Sequence, residues 1–442
     1  MKKLSAIITV LFAGTVLSGC SVGAGIDTLM APPKLSLEQE QIYTALTDSL
    51  GTSNISLKYP KSGKYLSAFI IEDIDGDGYN EAMVFYEKNN RASDENPLRI
   101  NILDKDGGEW RSVNDKAAAG SEVEEVIISR LGSENRINLI IGTSSVNRAE
   151  KNVSIYNYSD GELRQDNYSK SYSYMDVVDL NNDDMYELVL IAGSSDVSPV
   201  TGDPLKIEGP KANNTYVIEQ NRSFTQFDVN YGDIGGIKVM YIDAASGENL
   251  QSYILYMDSE GKLQIALKVE NRSEAGKRLE ECRSFDIDGD GCLEIPFESI
   301  APGSENAAES EQLMLTRWMR PEGSVRSGEC SLKECYISYF KDGYVFIFPE
   351  KWNEKVTVKH DVINDETVFC SYDENGYGAD LMRIFCAEDV PSLEDRLSDG
   401  YMLIHTKGNL SYLVYIHAGS NAEADGLAIS AGDAALAFRF ME

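Results

Sequence analysis

Short runs of β-branched and aromatic residues alternate with turns rich in Gly, Asn and Asp along most of this chain. Runs of this length indicate buried strands, and apolar alternation around Asp-Gly turns is a strong hairpin signal. Hairpin turns are predicted at residues 104–108, 159–161, 221–222 and 258–261. The pattern therefore predicts a mainly β fold built from consecutive hairpins.

Three acidic nonapeptides lie between pairs of predicted strands, and their first residues are 106 and 107 positions apart. Each carries oxygen-bearing side chains at loop positions 1, 3, 5 and 9. These residues are Asp73, Asp75, Asp77 and Glu81; Asp179, Asn181, Asp183 and Glu187; and Asp286, Asp288, Asp290 and Glu294. Calcium takes six to eight oxygen ligands, so the spacing predicts about three calcium sites.

Two weaker copies of the strand–turn–strand frame, residues 128–142 and 227–241, shorten the period to about 50 residues. Arg130 and Asn138 stand at the first and ninth loop positions of the earlier copy, so a cation site is lost there. Four strands in about 50 residues are typical of a propeller blade. We therefore predict five blades between about residues 60 and 330, with a sixth blade as the alternative.

The motif D-x-D-G-D-G-x-x-E between two strands resembles the FG-GAP or VCBS repeat of integrin-α-like β-propellers. The resemblance covers roughly 60% of the chain, on the repeat length. It implies that the side chains named above hold calcium, together with the carbonyl group of Tyr79. In the second loop Asn181 replaces an acid and Asp184 replaces a glycine. Asp tolerates the left-handed conformation better than most residues, so this site is expected to survive but to bind calcium more weakly.

An EF-hand is excluded because position 12 of each loop is Val84, Leu190 or Phe297, whereas an EF-hand requires a glutamate there. The alternative is an Asx-rich turn that binds no ion, since Asp and Gly are common turn residues. Four carboxylates within nine residues repel one another unless a cation lies between them, which favours the cation site. The all-oxygen ligand set disfavours zinc and copper. The expected role of the ion is to stiffen a blade.

The N-terminus predicts an export signal, with Lys2 and Lys3 before an apolar stretch that is too short for an ordinary membrane span. The sequence Leu-Ser-Gly-Cys that ends at Cys20 resembles a bacterial lipobox. The resemblance implies cleavage after residue 19 and a diacylglycerol group on the thiol of Cys20, which anchors the chain at the extracytoplasmic face of the cell membrane. The alternative is a plain secretory signal. Residues 20–35 are predicted to form a tether.

The formal net charge of −32 becomes −34 once the two signal-peptide lysines are removed. This charge argues against nucleic acid as a partner, because phosphate binding requires a basic surface. Six cysteines remain besides Cys20, and both three disulfides and six thiols are compatible with the sequence. If Cys370 and Cys386 lie on the two arms of one hairpin, they could face each other across it.

The predicted organisation has a propeller with an N-terminal helix at residues 36–335 and a small α+β domain at residues 336–442. The N-terminal helix spans residues 37–50, with Ser36 as its cap and Gly51 as its stop signal. In the α+β domain we predict five strands after residue 350, a helical turn within residues 392–400 and a terminal helix at residues 434–441.

Catalytic motifs such as G-x-S-x-G, H-E-x-x-H and the Walker loop do not occur in the sequence. The three histidines, His360, His405 and His417, all lie in the C-terminal region. We therefore predict a non-catalytic binding or adhesion module for a protein or glycan partner. The alternatives are an envelope-associated hydrolase acting on polysaccharide or peptidoglycan, and a scaffold for an envelope assembly.

Overall fold

The computed structural model describes residues 35–89, 97–132, 136–145, 150–192, 205–208, 215–219, 224, 226–279, 281–341, 343–417 and 426–440. It is mainly β, with 56% strand and 10% helix, which confirms the predicted class. Backbone packing divides the described residues into two compact units. The first comprises residues 35–58, 67–73 and 78–118, and the second comprises residues 59–66, 74–77 and 119 onward.

The first unit combines one helix with one antiparallel sheet. Helix α1, Leu37–Leu50, begins at a capping box between Ser36 and Gln39 and ends at Gly51, whose φ is 65°. This confirms the predicted helix and both of its end signals. Sheet 1 contains β1 (Ile55–Leu57), β2 (Phe69–Glu72), β3 (Glu81–Lys88), β4 (Leu98–Asp106) and β5 (Glu109–Ala117). The buried face of α1 packs on this sheet through Ile42 and Leu46.

Three four-stranded antiparallel meanders follow in the second unit. Sheet 2 contains β6 (Glu122–Arg130), β7 (Ile137–Ser144), β8 (Lys151–Ser159) and β9 (Glu162–Tyr172). Sheet 3 contains β10 (Tyr174–Val178), β11 (Glu187–Ala192), β12 (Leu205–Glu208) and β13 (Thr215–Glu219). Sheet 4 contains β14 (Gln226–Ile234), β15 (Ile237–Ser246), β16 (Asn249–Met257) and β17 (Leu263–Val269). Their first strands begin 52 residues apart, at Glu122, Tyr174 and Gln226, in line with the predicted period.

Two larger antiparallel sheets complete the second unit. Sheet 5 contains β18 (Arg272–Ser273), β19 (Gly276–Lys277), β20 (Ile295–Ile300), β21 (Met314–Glu322), β22 (Ser331–Lys341), β23 (Tyr344–Ile347) and β29 (Phe438–Phe440). Sheet 6 contains β24 (Val356–Asp361), β25 (Glu366–Asp373), β26 (Gly376–Ala387), β27 (Met402–Lys407) and β28 (Leu410–Ile416). Helices α2 (Val390–Ser398) and α3 (Ala431–Ala437) accompany sheet 6. Strand β22 runs across the position predicted as a domain boundary, between residues 335 and 336.

Consecutive sheets of the second unit share hydrophobic cores. Sheets 2 and 3 meet through Ile140, Val153, Ile155, Met175, Leu188 and Leu190. Sheets 3 and 4 meet through Val189, Ile191, Met240, Ile242 and Tyr253. Sheets 4 and 5 meet through Val239, Tyr241, Ile254, Ile295 and Phe297. Sheets 3 and 4 therefore each bury both faces against their neighbours along the chain.

A fully buried ion pair lies between sheets 4 and 5. Asp243 on β15 is 1% exposed and Arg278, just after β19, is 0% exposed. Nη2 of Arg278 lies 3.3 Å from Oδ1 of Asp243, and the same nitrogen donates to the carbonyl oxygen of Cys282 at 2.8 Å. Asp243 also accepts hydrogen bonds from the N–H and the hydroxyl group of Ser284. Burial lowers the pKa of Arg278, while the neighbouring carboxylate opposes that effect.

The predicted hairpins at residues 104–108, 159–161 and 258–261 are confirmed, and the turn at residues 221–222 lies outside the described residues. The five strands predicted after residue 350 and the helix within residues 392–400 are also confirmed. The predicted helix at residues 434–441 is wrong beyond Ala437. Phe438 and Phe440 alternate with Arg439 in a strand that pairs with β23, and the Phe438 ring stacks on Tyr344 at 4.7 Å. The helix therefore ends at Ala437, because the alternating aromatic residues that follow pack and pair as a strand.

None of the six cysteines in the described part of the chain forms a disulfide. Cys370 and Cys386 do lie on two adjacent strands, β25 and β26. The register places Asp380 opposite Cys370 and Tyr412 opposite Cys386, so the two thiols do not face each other. The pairing considered from the sequence is therefore wrong. Among the helices described, none has both the length and the apolar character that crossing a membrane requires.

Candidate metal-binding loops

All three acidic nonapeptides are strand-to-strand connections. The first lies between β2 and β3 and the second between β10 and β11. The third follows Phe285, which forms an isolated bridge with Glu294, and leads into β20. The residue at the second loop position is apolar and buried in each case, namely Ile74, Leu180 and Ile287. Leu180 and Ile287 belong to hydrophobic clusters, which anchors the second and third loops to the core.

The loops share one pattern of hydrogen bonds. The carboxylate at position 1 accepts the backbone N–H of position 6, at 3.0 Å in the first loop and 2.9 Å in the other two. These pairs are Asp73 with Gly78, Asp179 with Asp184, and Asp286 with Gly291. The side-chain oxygen at position 3 accepts the N–H of position 5 at 3.0 Å, 3.2 Å and 3.2 Å, respectively. The backbone conformation is therefore repeated along with the sequence.

Positions 4 and 6 adopt left-handed backbone conformations in every loop. Gly76 and Gly78 have φ values of 85° and 91°, and Gly289 and Gly291 have values of 79° and 87°. In the second loop Asn182 and Asp184 take these positions, with φ values of 58° and 63°. Asp184 therefore occupies the position of a loop glycine without changing the turn, which confirms the expectation for this residue.

The carboxylates converge in two of the loops. Oxygen atoms of Asp73, Asp75 and Glu81 all lie within 4.8 Å of one another, as do those of Asp286, Asp288 and Asp290. Among the described residues, the acids of the second loop form no such group. There the Asn181 side-chain amide donates to Oδ2 of Asp183 at 2.9 Å. Carboxylate oxygens at this spacing fit calcium, so the first and third loops have a donor set of the right chemistry.

The predicted ligand Asp77 lies outside the converging group of the first loop. The Tyr79 side chain is 75% exposed, so only its backbone carbonyl is suited to the predicted role. Asp77 donates its backbone N–H to Asp75 at 3.0 Å. In the third loop the equivalent Asp290 belongs to the converging group.

The glutamate at the ninth position is buried in the first and third loops, where Glu81 is 1% exposed and Glu294 is 0% exposed. The N–H of position 2 donates to this side chain, from Leu180 to Glu187 at 3.0 Å and from Ile287 to Glu294 at 3.2 Å. Burial raises the pKa of Glu187, and the nearby charges of Asp183 and Asp179 add to the rise. Burying an uncompensated carboxylate is costly, so the charges of Glu81 and Glu294 require a cation or hydrogen bonds to offset them.

In the third loop a cation comes from the chain itself. The guanidinium group of Arg320, on β21, lies 2.5 Å from Asp288, 3.1 Å from Asp290 and 2.7 Å from Glu294. The Tyr336 hydroxyl also donates to Asp288, at 2.8 Å. Burial raises the pKa of Glu294, and the hydrogen bond from Arg320 opposes that rise. Burial would likewise raise the pKa of Asp288, but the hydrogen bonds from Tyr336 and Arg320 outweigh it and lower this pKa.

Sequence analysis missed Arg320 because this residue is 32 positions from Asp288. The signal that could have identified Arg320 is the register between the strands β20 and β21. Strand β20 pairs with β21 such that Ile295 lies opposite Met319, which places the next residue, Arg320, beside Glu294. A correct hairpin alignment of these two strands would have identified it.

The remaining candidate residues are Cys20 and the three histidines. Cys20, the signal peptide and the predicted tether up to residue 34 lie outside the described residues. His360 contacts Asp365 at 3.0 Å, and His405 contacts the carbonyl oxygen of Ala435 at 3.0 Å. His417 accepts a hydrogen bond from Nε of Arg383 at 3.2 Å. Burial lowers the pKa of His417, and the charge of Arg383 lowers it further.

No protein-family model matches this chain, and no curated protein matches it. The resemblance to FG-GAP and VCBS repeats therefore stays a prediction that rests on the loop residues and their geometry.

Proposed function

We propose that this chain is a calcium-stabilised β-propeller lipoprotein that serves as a binding or adhesion module. In this proposal the ions hold the connections between strands, and the stacked sheets form a rigid surface for a protein or glycan partner. A lipid on Cys20 holds the module at the extracytoplasmic face of the cell membrane. The observation that carries the proposal is the threefold repetition of one hydrogen-bonded acidic loop between strands.

The arrangement of the sheets supports a propeller. Sheets 2, 3 and 4 are four-stranded meanders of one connectivity, and successive sheets from 2 to 5 share hydrophobic cores. Propeller blades pack in this way, each burying both faces against its neighbours in the chain. The repeat length of 52 residues between sheets 2, 3 and 4 agrees with kelch-like repeats of about 50 residues.

The donor chemistry of the loops supports calcium. Asp73, Asp75 and Glu81 would hold an ion in the first loop, and Asp286, Asp288 and Asp290 in the third. When bound, the ion would neutralise mutually repelling carboxylates and fix the loop. Extracellular calcium modules have Kd values of about 10⁻⁴–10⁻³ M, so such sites fill outside a cell.

The loop geometry favours binding over hydrolysis. Glycoside hydrolases place two carboxyl groups on opposite sides of a scissile bond, about 5–9.5 Å apart. Here the converging acids of the first and third loops belong to single tight turns, and several of them accept backbone N–H groups of their own loop. These acids are therefore suited to holding an ion and a backbone conformation. The envelope hydrolase remains the competing function.

Panels of immobilised glycans and peptides test this function. We expect the mature chain to bind a subset of them in millimolar calcium and to release them in EDTA, because the ion stiffens the display surface. The same panels, together with ester substrates, are assayed for turnover. Sustained catalytic turnover of a polysaccharide or peptidoglycan fragment would contradict the proposal and favour the hydrolase.

Replacing the lipidated residue tests the anchor. The Cys20→Ser precursor is expected to leave the membrane fraction and appear in the medium, because the acyl groups have no attachment site. Cys386→Ser is the matched control and is expected to stay with the membrane. Fractionation followed by immunoblotting measures both, and globomycin is expected to block processing of the unaltered and Cys386→Ser precursors but not of Cys20→Ser. Retention of Cys20→Ser in the membrane fraction would rule out the lipid as the anchor.

A further inference from the structure

We infer that Arg320 is a built-in cation of the third loop, which competes with calcium for the same carboxylates. In this inference the third loop keeps its conformation without metal and binds calcium more weakly than the first loop does. The inference rests on the proposed calcium binding and assigns different roles to loops that the sequence presents as equivalent.

Arg320 reaches the third loop as a bound cation would. Its Nη2 atom contacts three carboxylates from loop positions 3, 5 and 9, at 2.5 Å, 3.1 Å and 2.7 Å. Its Nε atom donates to the same oxygen of Glu294 at 2.8 Å. A guanidinium group carries several donors in a fixed plane, which lets it bridge carboxylates in this manner.

The oxygen atoms needed for calcium are already engaged. Oδ2 of Asp288 accepts hydrogen bonds from both Arg320 and Tyr336, and Oδ1 of Asp288 accepts the N–H of Asp290. Oε1 of Glu294 is held by Arg320, and Oε2 of Glu294 by the N–H of Ile287. Calcium can therefore take these ligands only if the guanidinium group moves away and its charge-assisted hydrogen bonds are lost.

The second loop provides the contrast. Within the described residues, its side chains accept hydrogen bonds from backbone N–H groups and from the Asn181 amide. Lys238 contacts this loop, but its ammonium group donates to the backbone carbonyl oxygen of Asp179 at 2.8 Å and not to a carboxylate. An equivalent of Arg320 therefore does not occupy this loop, although its backbone follows the same turn.

Replacing Arg320 by glutamine removes the competing charge while retaining a polar side chain of similar length. The variant is purified in calcium, and its calcium affinity is measured by calorimetry and its melting temperature in calcium and in EDTA. We expect calcium affinity at the third loop to rise about tenfold or more, because a charge-assisted contact no longer has to be broken. We also expect the melting temperature to fall in EDTA and to recover in millimolar calcium.

Arg317→Gln is the matched control. Arg317 lies on the same strand and has similar exposure, but it contacts Glu334, outside the loop, at 2.6 Å. This variant is expected to keep the calcium affinities of the unaltered protein. Arg320→Lys retains one positive charge and is expected to keep its stability in EDTA. Adding Asp290→Ala to Arg320→Gln is expected to abolish the increase in calcium affinity. This result would show that the increase arises at the third loop.

The outcomes separate this inference from the proposed function. Unchanged calcium affinity in Arg320→Gln, or a loss of stability that calcium does not restore, would overturn the inference and leave Arg320 a structural residue. If only Arg320→Gln binds calcium, the inference holds while calcium stabilisation of the natural protein fails. If no variant binds calcium, both are wrong.

Discussion

Replacing Arg278 by methionine is expected to lower the free energy of unfolding by about 3–5 kcal/mol, the cost of breaking a buried ion pair. Asp243 would lose its charged partner in a site where it is only 1% exposed. The carbonyl oxygen atoms of Cys282 and Pro296 would also lose their donor, since Arg278 binds them at 2.8 Å and 3.2 Å. Urea denaturation monitored by circular dichroism measures the loss.

Two further variants isolate the buried charge. Arg272→Met removes an exposed arginine from β18, six residues before Arg278, and is expected to change stability by no more than about 0.5 kcal/mol. The double variant Arg278→Met with Asp243→Leu removes both charges and is expected to recover much of the loss, because apolar replacements of buried pairs are often tolerated. Equal stabilities for Arg278→Met and Arg272→Met would contradict this account of the ion pair.

Replacing Asp75 and Asp77, two predicted ligands of the first loop, is expected to abolish the stabilisation that calcium provides through this loop. At one hundred times its Kd, a ligand that binds only the folded state adds about 2.7 kcal/mol. Asp75→Ala combined with Asp77→Ala leaves too few carboxylates for the site. We therefore expect calcium to stabilise this variant by about 2.7 kcal/mol less than it stabilises the unaltered protein. In EDTA the same variant loses mainly the hydrogen bond from the Asp77 N–H to Asp75, about 1 kcal/mol. Urea denaturation in calcium and in EDTA measures both values.

Asp104→Ala combined with Asp106→Ala is the control for net charge. These two acids lie at the end of β4 in the same sheet and belong to neither group of converging carboxylates, and Asp106 forms an exposed ion pair with Arg111. This variant is expected to gain as much stability from calcium as the unaltered protein. If the two double variants respond alike to calcium, the ion acts by screening the large negative charge, and the loop is not its binding site.

The sequence was most informative where structure depends on residues close together in the chain. Helix α1 was predicted with its boundaries, because Ser36 and Gly51 are local capping signals. The acidic loops were predicted as strand connections for the same reason, since the hydrogen bonds within each loop join residues at most seven positions apart.

Contacts between distant segments could not be predicted in this way. Arg320 reaches Asp288 from 32 positions away, and Arg278 reaches Asp243 from 35 positions away. Both depend on the register and stacking of strands, and a shift of one residue would point each side chain to the other face. The same limit explains the error at the C-terminus, because Phe438 and Phe440 form a strand only by pairing with β23.

Calcium titration of the mature chain by isothermal calorimetry tests the central claim, that clustered loop carboxylates bind a divalent cation. The account predicts saturable heat from the first loop, weaker binding at the other two, and a melting temperature that rises with millimolar calcium. The absence of binding heat, together with a melting temperature that calcium does not change, would contradict it.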